Sequence, residues 1–171
     1  MMKSLLAVST WLSHIALFVA GLALLAMMGV TVLDVVLRYL FKLSAGASEV
    51  TLTGGVELVK YLLLGAILAA MAAHVERSQV IVEVFTQKLS DSLKGRIGGL
   101  CLLIFALVGI VMAFGISGEA RSAAEFGEVT QDLAIPKAPI YAVATVLFVI
   151  FTVRSAIHGL HGLVTGVSHD G

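Results

Sequence analysis

An all-α integral membrane protein, with four transmembrane helices and amphipathic helices at the interface, is the fold class this sequence predicts. Three observations lead there. Of 171 residues, 59% are hydrophobic and only 13% are charged, whereas a soluble domain is about half apolar and about a quarter charged. Mean hydropathy is +1.05, so the apolar excess has to face lipid. Finally, four stretches approach or exceed the roughly 20 mostly apolar residues that a spanning helix needs.

The first span is expected at residues 11–33. It follows Lys3, and this order imitates a secretory signal. A signal core is about 7–15 residues long, while the uncharged stretch here runs from Ser4 to Leu33 and is broken only by the titratable His14. The expectation is an uncleaved first helix. Residues 37–43 are short and amphipathic enough to lie at the surface beyond it. The second span, 50–73, contains Glu57 and Lys60. Next come residues 80–96, where Ile81, Phe85, Leu89, Leu93 and Ile97 recur every four positions between polar residues. That period predicts an in-plane amphipathic helix, apolar face down. The third span, 97–118, has no charge inside it, and the fourth, 133–153, carries Lys137 between Pro136 and Pro139. The whole chain, 1–171, reads as one membrane domain.

Charge sets the orientation and excludes some functions. Lysine plus arginine equals aspartate plus glutamate, 11 each. With no net charge and no basic run, nucleic-acid binding is rejected. The single cysteine, Cys101, lies in an apolar run and cannot form an internal disulfide. With the N-terminus inside, the inner connections hold Lys3, Arg77, Lys88, Lys94, Arg96 and Arg154. The outer ones hold Arg38, Lys42, Arg121 and Lys137, which is six against four. The positive-inside rule then places both termini in the cytoplasm. Tyr39, Tyr61 and Tyr141 fall towards the outer boundary and Trp11 towards the inner one.

Few residues carry candidate chemistry. Asp34 and Arg38 are four apart, and Glu57 and Lys60 three apart, so each pair shares a helical face. Ionisable groups in a membrane suggest function by default. Here both pairs are internally neutral and close to a boundary, which favours structural ion pairs over a proton relay. The membrane midplane carries no carboxylate. His14, His74, His158 and His161 all fall on the inner side, and two facing histidines are what a haem needs. Headgroup-level rings are the plainer reading. Small residues form faces at Gly65, Ala66, Ala69, Ala70 and Ala73, at Ala16 and Ala20, and at Gly109 and Ala113. Such faces let helices approach closely in lipid. No phosphate loop, metal-ligand cluster or nucleophile–base pair is apparent, so no catalytic residue, metal or cofactor is expected.

The motifs resemble those of one family. Asp34-Val-Val-Leu-Arg38-Tyr39-Leu-Phe41 is similar to the "RY-x-F" signature of the small membrane subunit, the DctQ type, of TRAP (tripartite ATP-independent periplasmic) transporters. Glu57 to Leu63 resembles that family's glutamate-led second span. By wording rather than distance, Gly46-Ala47-Ser48-Glu49 fits the same motif, so Glu49 and Glu57 both stand as candidates. Gln79 and Glu83 occupy places where the family often has histidine and aspartate. Pro136, followed by Tyr141, looks like the start of the family's fourth span. Together these cover roughly residues 30–147. The resemblance implies a non-catalytic scaffold in the bacterial inner membrane. It would brace a large polytopic transport subunit, which imports an organic acid or similar solute with sodium and receives it from a periplasmic binding protein. Two other classes stay open: a haem- or quinone-binding anchor of a respiratory enzyme, and a small oligomeric exporter.

Overall fold

The computed structural model describes residues 2–43, 54–76 and 90–166. Four α-helices make up nearly all of them: α1 (Met2–Leu43), α2 (Gly55–Ala73), α3 (Asp91–Glu125) and α4 (Lys137–Thr165). All four are long and apolar enough to cross a membrane. At 1.5 Å per residue, the 19 residues of α2 span about 28 Å, close to the roughly 30 Å hydrocarbon core. The 42 residues of α1 span about 63 Å, so α1 overshoots that core.

Several boundaries differ from those the sequence suggests. Residues 37–43 are not a separate surface helix but the continuous end of α1. Asp91 to Arg96, expected to finish an in-plane helix, instead open α3. Hydropathy marks the lipid-facing part of a helix, whereas the backbone hydrogen-bond ladder continues through polar residues until something stops it. The rest of the expected surface helix, residues 80–89, lies outside the described residues, as do Gln79, Glu83 and Glu49.

Local signals explain the ends. Gly54, at φ +83°, turns the chain into α2, and Glu57 in the first turn faces the positive end of the helix dipole. Ser90 in extended conformation precedes α3, with Asp91 in its first turn. The helix α3 ends in a Schellman-type closure: Gly127 takes φ +62° and the Glu128 N–H bonds Ala123 O at 2.9 Å. Pro136 leads into α4, where Pro139 sits in the first turn and displaces no helical bond. Gly166, at φ +64°, ends that helix.

Packing joins two antiparallel hairpins. The most extensive contact is between α3 and α4, α1 lies along α2, and α4 touches both members of that pair. Small residues make these contacts. Ala16 packs with Ala72 and Ala73, and Ala20 with Ala69 and Leu147. Gly65 and Ala70, expected on the same face, are only half-buried. The closest approach lies elsewhere, where α3 crosses α4 through Gly95, Gly99, Gly159 and Gly162. A Cβ on Gly99 would lie 2.7 Å from Gly159 O, and one on Gly162 2.9 Å from Gly95 O. These two helices touch backbone to backbone, as small-residue crossings in membranes do.

Candidate functional site

Two polar constellations stand at opposite ends of the bundle. The first is built on Arg154, which is 1% exposed. Its Nε donates to Ser9 O at 3.0 Å and to Ser9 Oγ at 3.1 Å. Its Nη1 donates to Ala72 O and Ala73 O, the last carbonyls of α2. Its Nη2 meets Glu76 Oε2 at 2.7 Å. One side chain on α4 therefore binds α1, caps the negative C-terminal end of α2 and forms an ion pair just beyond it. Ser13 Oγ also donates to Ala73 O, at 2.9 Å. His158, one turn after Arg154, is hydrogen-bonded through Nε2 to Ser9 Oγ at 2.9 Å. Among the described residues Arg154 is the only buried member of the four charged types.

Sequence counting placed Arg154 in an inner connection, and the structure corrects this. The overlooked signal was a pair of four-residue spacings, Ser9 with Ser13 and Arg154 with His158. Each sets a polar stripe on a helix that must face a neighbour rather than lipid. A second sign was α2 ending on Ala72-Ala73 with a carboxylate, Glu76, three residues on.

The second constellation is built on Glu57. Its Oε1 accepts from the Gln131 N–H at 2.9 Å, and its Oε2 from Asp132 and Leu133 N–H, both at 3.1 Å. Three consecutive backbone donors around one carboxylate form an anion nest. The nest belongs to the turn between α3 and α4. That turn is closed by the Val129–Pro136 bridge, by Thr130 N–H to Ile135 O at 2.9 Å, and by Ile135 N–H to Thr130 Oγ1 at 3.1 Å. Ala134 adopts φ +52° there, and Lys137 Nζ bonds Glu128 Oε2 at 3.1 Å. The carboxylate thus clips the turn to the first turn of α2.

The expected Glu57–Lys60 pair is replaced by this clip. Lys60 Nζ instead lies 5.6 Å from the centroid of the Tyr61 ring, within cation–π range. The reason is competition: three fixed N–H dipoles at hydrogen-bond distance outcompete one mobile, hydrated ammonium. Asp34 and Arg38 do meet, at 2.9 Å along α1. They and Glu57 do not converge on one cluster. Tyr39 and Phe41 are exposed on α1, Pro136 precedes α4, and Tyr141 is half-buried one turn into it, its carbonyl accepting from Thr145 Oγ1 at 2.9 Å.

Two further histidines make local bonds, His14 Nδ1 with Thr10 O at 2.7 Å and His74 Nδ1 with Ala70 O at 3.3 Å. Among the described residues no three of His, Cys, Asp and Glu come close enough to hold a metal ion. The cavities are apolar. One of about 290 Å³ lies between α2, α4 and the turn, and one of about 320 Å³ lies between α1 and α4.

Compared with known proteins, residues 27–164 match the family described as tripartite ATP-independent periplasmic transporters, DctQ component. No curated protein and no solved structure matches the chain.

Proposed function

The chain belongs to the DctQ-component family of the tripartite ATP-independent periplasmic transporters, and from that premise we propose that it is a non-catalytic scaffold subunit. It braces a much larger polytopic subunit in the bacterial inner membrane. The large subunit carries the solute, an organic acid or similar anion delivered by a periplasmic binding protein, together with sodium.

The observation that carries this reading is α1. Past Ala20 no α1 residue is buried, yet the helix runs on to Leu43, about 34 Å further. Only a half-buried stripe on one face, with Ala23, Met27, Val30, Asp34 and Leu37, follows. Val32, Val35, Val36, Leu40 and Leu43 stand exposed on the others. A spanning helix with so little cover from its own chain suits a membrane partner. The use of the buried guanidinium supports the same reading. Each Arg154 nitrogen bonds the chain itself, so this charge fastens helices rather than receiving an anion.

Reconstitution tests it. Vesicles holding this chain alone are expected to show no solute uptake under a sodium gradient, even with the binding protein outside. Adding the large subunit restores uptake. Uptake by this chain alone overturns the scaffold reading, and full uptake by the large subunit alone removes the bracing role.

A further inference from the structure

The cavity between α2 and α4 has features that its apolar lining alone does not explain. It is lined along α2 from Glu57 to Leu68, about 16 Å of helix. One leaflet contributes half of the roughly 30 Å hydrocarbon core, about 15 Å. The cavity therefore starts at one membrane boundary and stops near the midplane. Leu133 and Ile135 of the clipped turn wall its outer end, Val143 and Ala144 its α4 side. Its volume is about 290 Å³. It has the length of one acyl chain lying in one leaflet.

A charge stands at its rim. Tyr61 lines the cavity, and Lys60 Nζ lies 5.6 Å from the Tyr61 ring centroid. Lys60 is exposed and only five residues, about 7 Å, from the start of α2. A lysine stem of that reach carries its ammonium to the headgroup level. Glu57 also lines the cavity, but its two oxygens point to the turn's N–H groups, which offset its charge at the mouth. The floor is lowered by Gly65, where an added Cβ would meet nothing within 4 Å.

We propose that this cavity is a binding site for an anionic phospholipid, one acyl chain lying along α2 between Glu57 and Leu68 and the phosphate meeting Lys60. Tyr61 shares the ammonium and gives the boundary an amphipathic ring, as tyrosines do at membrane interfaces. The site is independent of the scaffold reading, since it is complete within this chain.

The experiment uses the full chain in nanodiscs of phosphatidylcholine doped with phosphatidylglycerol carrying a photoreactive acyl chain, the labelled residues being located by mass spectrometry. Labelling is expected to concentrate at Leu64, Leu68, Val143 and Ala144 over Phe114 and Val111, which are exposed on α3. Photoreactive phosphatidylcholine is expected to label the cavity less. Gly65→Leu, which fills the floor without a clash at its Cβ, abolishes the concentration. Lys60→Gln, a change at an exposed position, lowers the preference for phosphatidylglycerol about fivefold, as loss of one cation near an anionic lipid should. Even labelling over all lipid-facing residues, or equal labelling by both lipids, overturns the proposal. So does loss of cavity labelling when the large subunit is present, since the occupant is then protein.

Discussion

A guanidinium taken out of water costs several kcal/mol unless acceptors replace its hydration, and Arg154 finds them on α1, at the end of α2 and at Glu76. Arg154→Met is therefore expected to destabilise the chain by about 3–5 kcal/mol, since it strands the Glu76 charge and the end of α2. A fall in the detergent melting temperature measures it. Arg154→Lys should recover little, because a point ammonium cannot reach three separate groups of acceptors in a fixed fork. Glu76→Gln should cost less, since that side chain is 23% exposed and water can replace the bond. Wild-type melting of the lysine variant would remove the fork geometry from the argument. The sequence announces that Arg154 is charged and near a span's end. It does not announce which way the side chain points, because this depends on Ser9, 145 positions away. The Asp34–Arg38 pair was legible for the opposite reason: its two partners are one helical turn apart.

Helices carry the next lesson, since their presence follows from apolar length and their ends follow from caps. Gly54, Gly127 and Gly166 take positive φ where α2 starts and α3 and α4 stop; residues 11–33 and 97–118 fall inside α1 and α3, residues 133–136 precede α4, and residues 50–53 of the expected second span lie outside the described residues. Where α1 stops was not legible, because Arg38 and Lys42 interrupt hydropathy without interrupting the helical ladder. The α3–α4 crossing was missed too: Gly95 lies in the segment 80–96 that the four-residue apolar period assigned to the surface, and Gly99, just inside the third span, was not among the small residues expected to pack. Gly99→Ala is expected to force the helices apart at a cost of about 1–3 kcal/mol, the range for overpacking. Gly29→Ala, with open space around its Cβ, should cost nothing. Melting of the two variants distinguishes them. The turn gives a second test. Glu57→Gln should speed amide exchange at Gln131, Asp132 and Leu133, and adding Lys60→Met should not reverse it, because the two side chains do not share a bond. Recovery in the double variant would restore the ion-pair expectation.

At the scale of the whole molecule, the contacts themselves require both described chain ends to share one side. Ser9 near the start of α1 meets Arg154 late in α4, while Ala73 at the end of α2 takes bonds from both Ser13 and Arg154. Gly95 early in α3 lies against Gly162. The Glu57 clip and its turn stand at the other end. Which side is the cytoplasm rests on charge. Arg154 is buried and ion-paired, so it is a poor witness for a rule about loop charges. The bias then rests on the connection between α2 and α3, which carries Arg77 and Lys88 with Lys94 and Arg96 following. At the opposite end, Arg38 and Lys137 are each held by a carboxylate, Asp34 and Glu128. The expected arrangement is the Glu57 end in the periplasm. A reporter inserted at Gly127 should be active as a periplasmic enzyme, and one fused after Gly171 as a cytoplasmic one. Cys101, half-buried and ten residues into α3, should resist a membrane-impermeant thiol reagent added from either side. Cytoplasmic activity at Gly127 would invert the molecule and move the Glu57 clip and the Lys60 rim to the inner leaflet. The fold and its contacts would be unchanged, because nothing in the packing depends on which leaflet Lys60 meets.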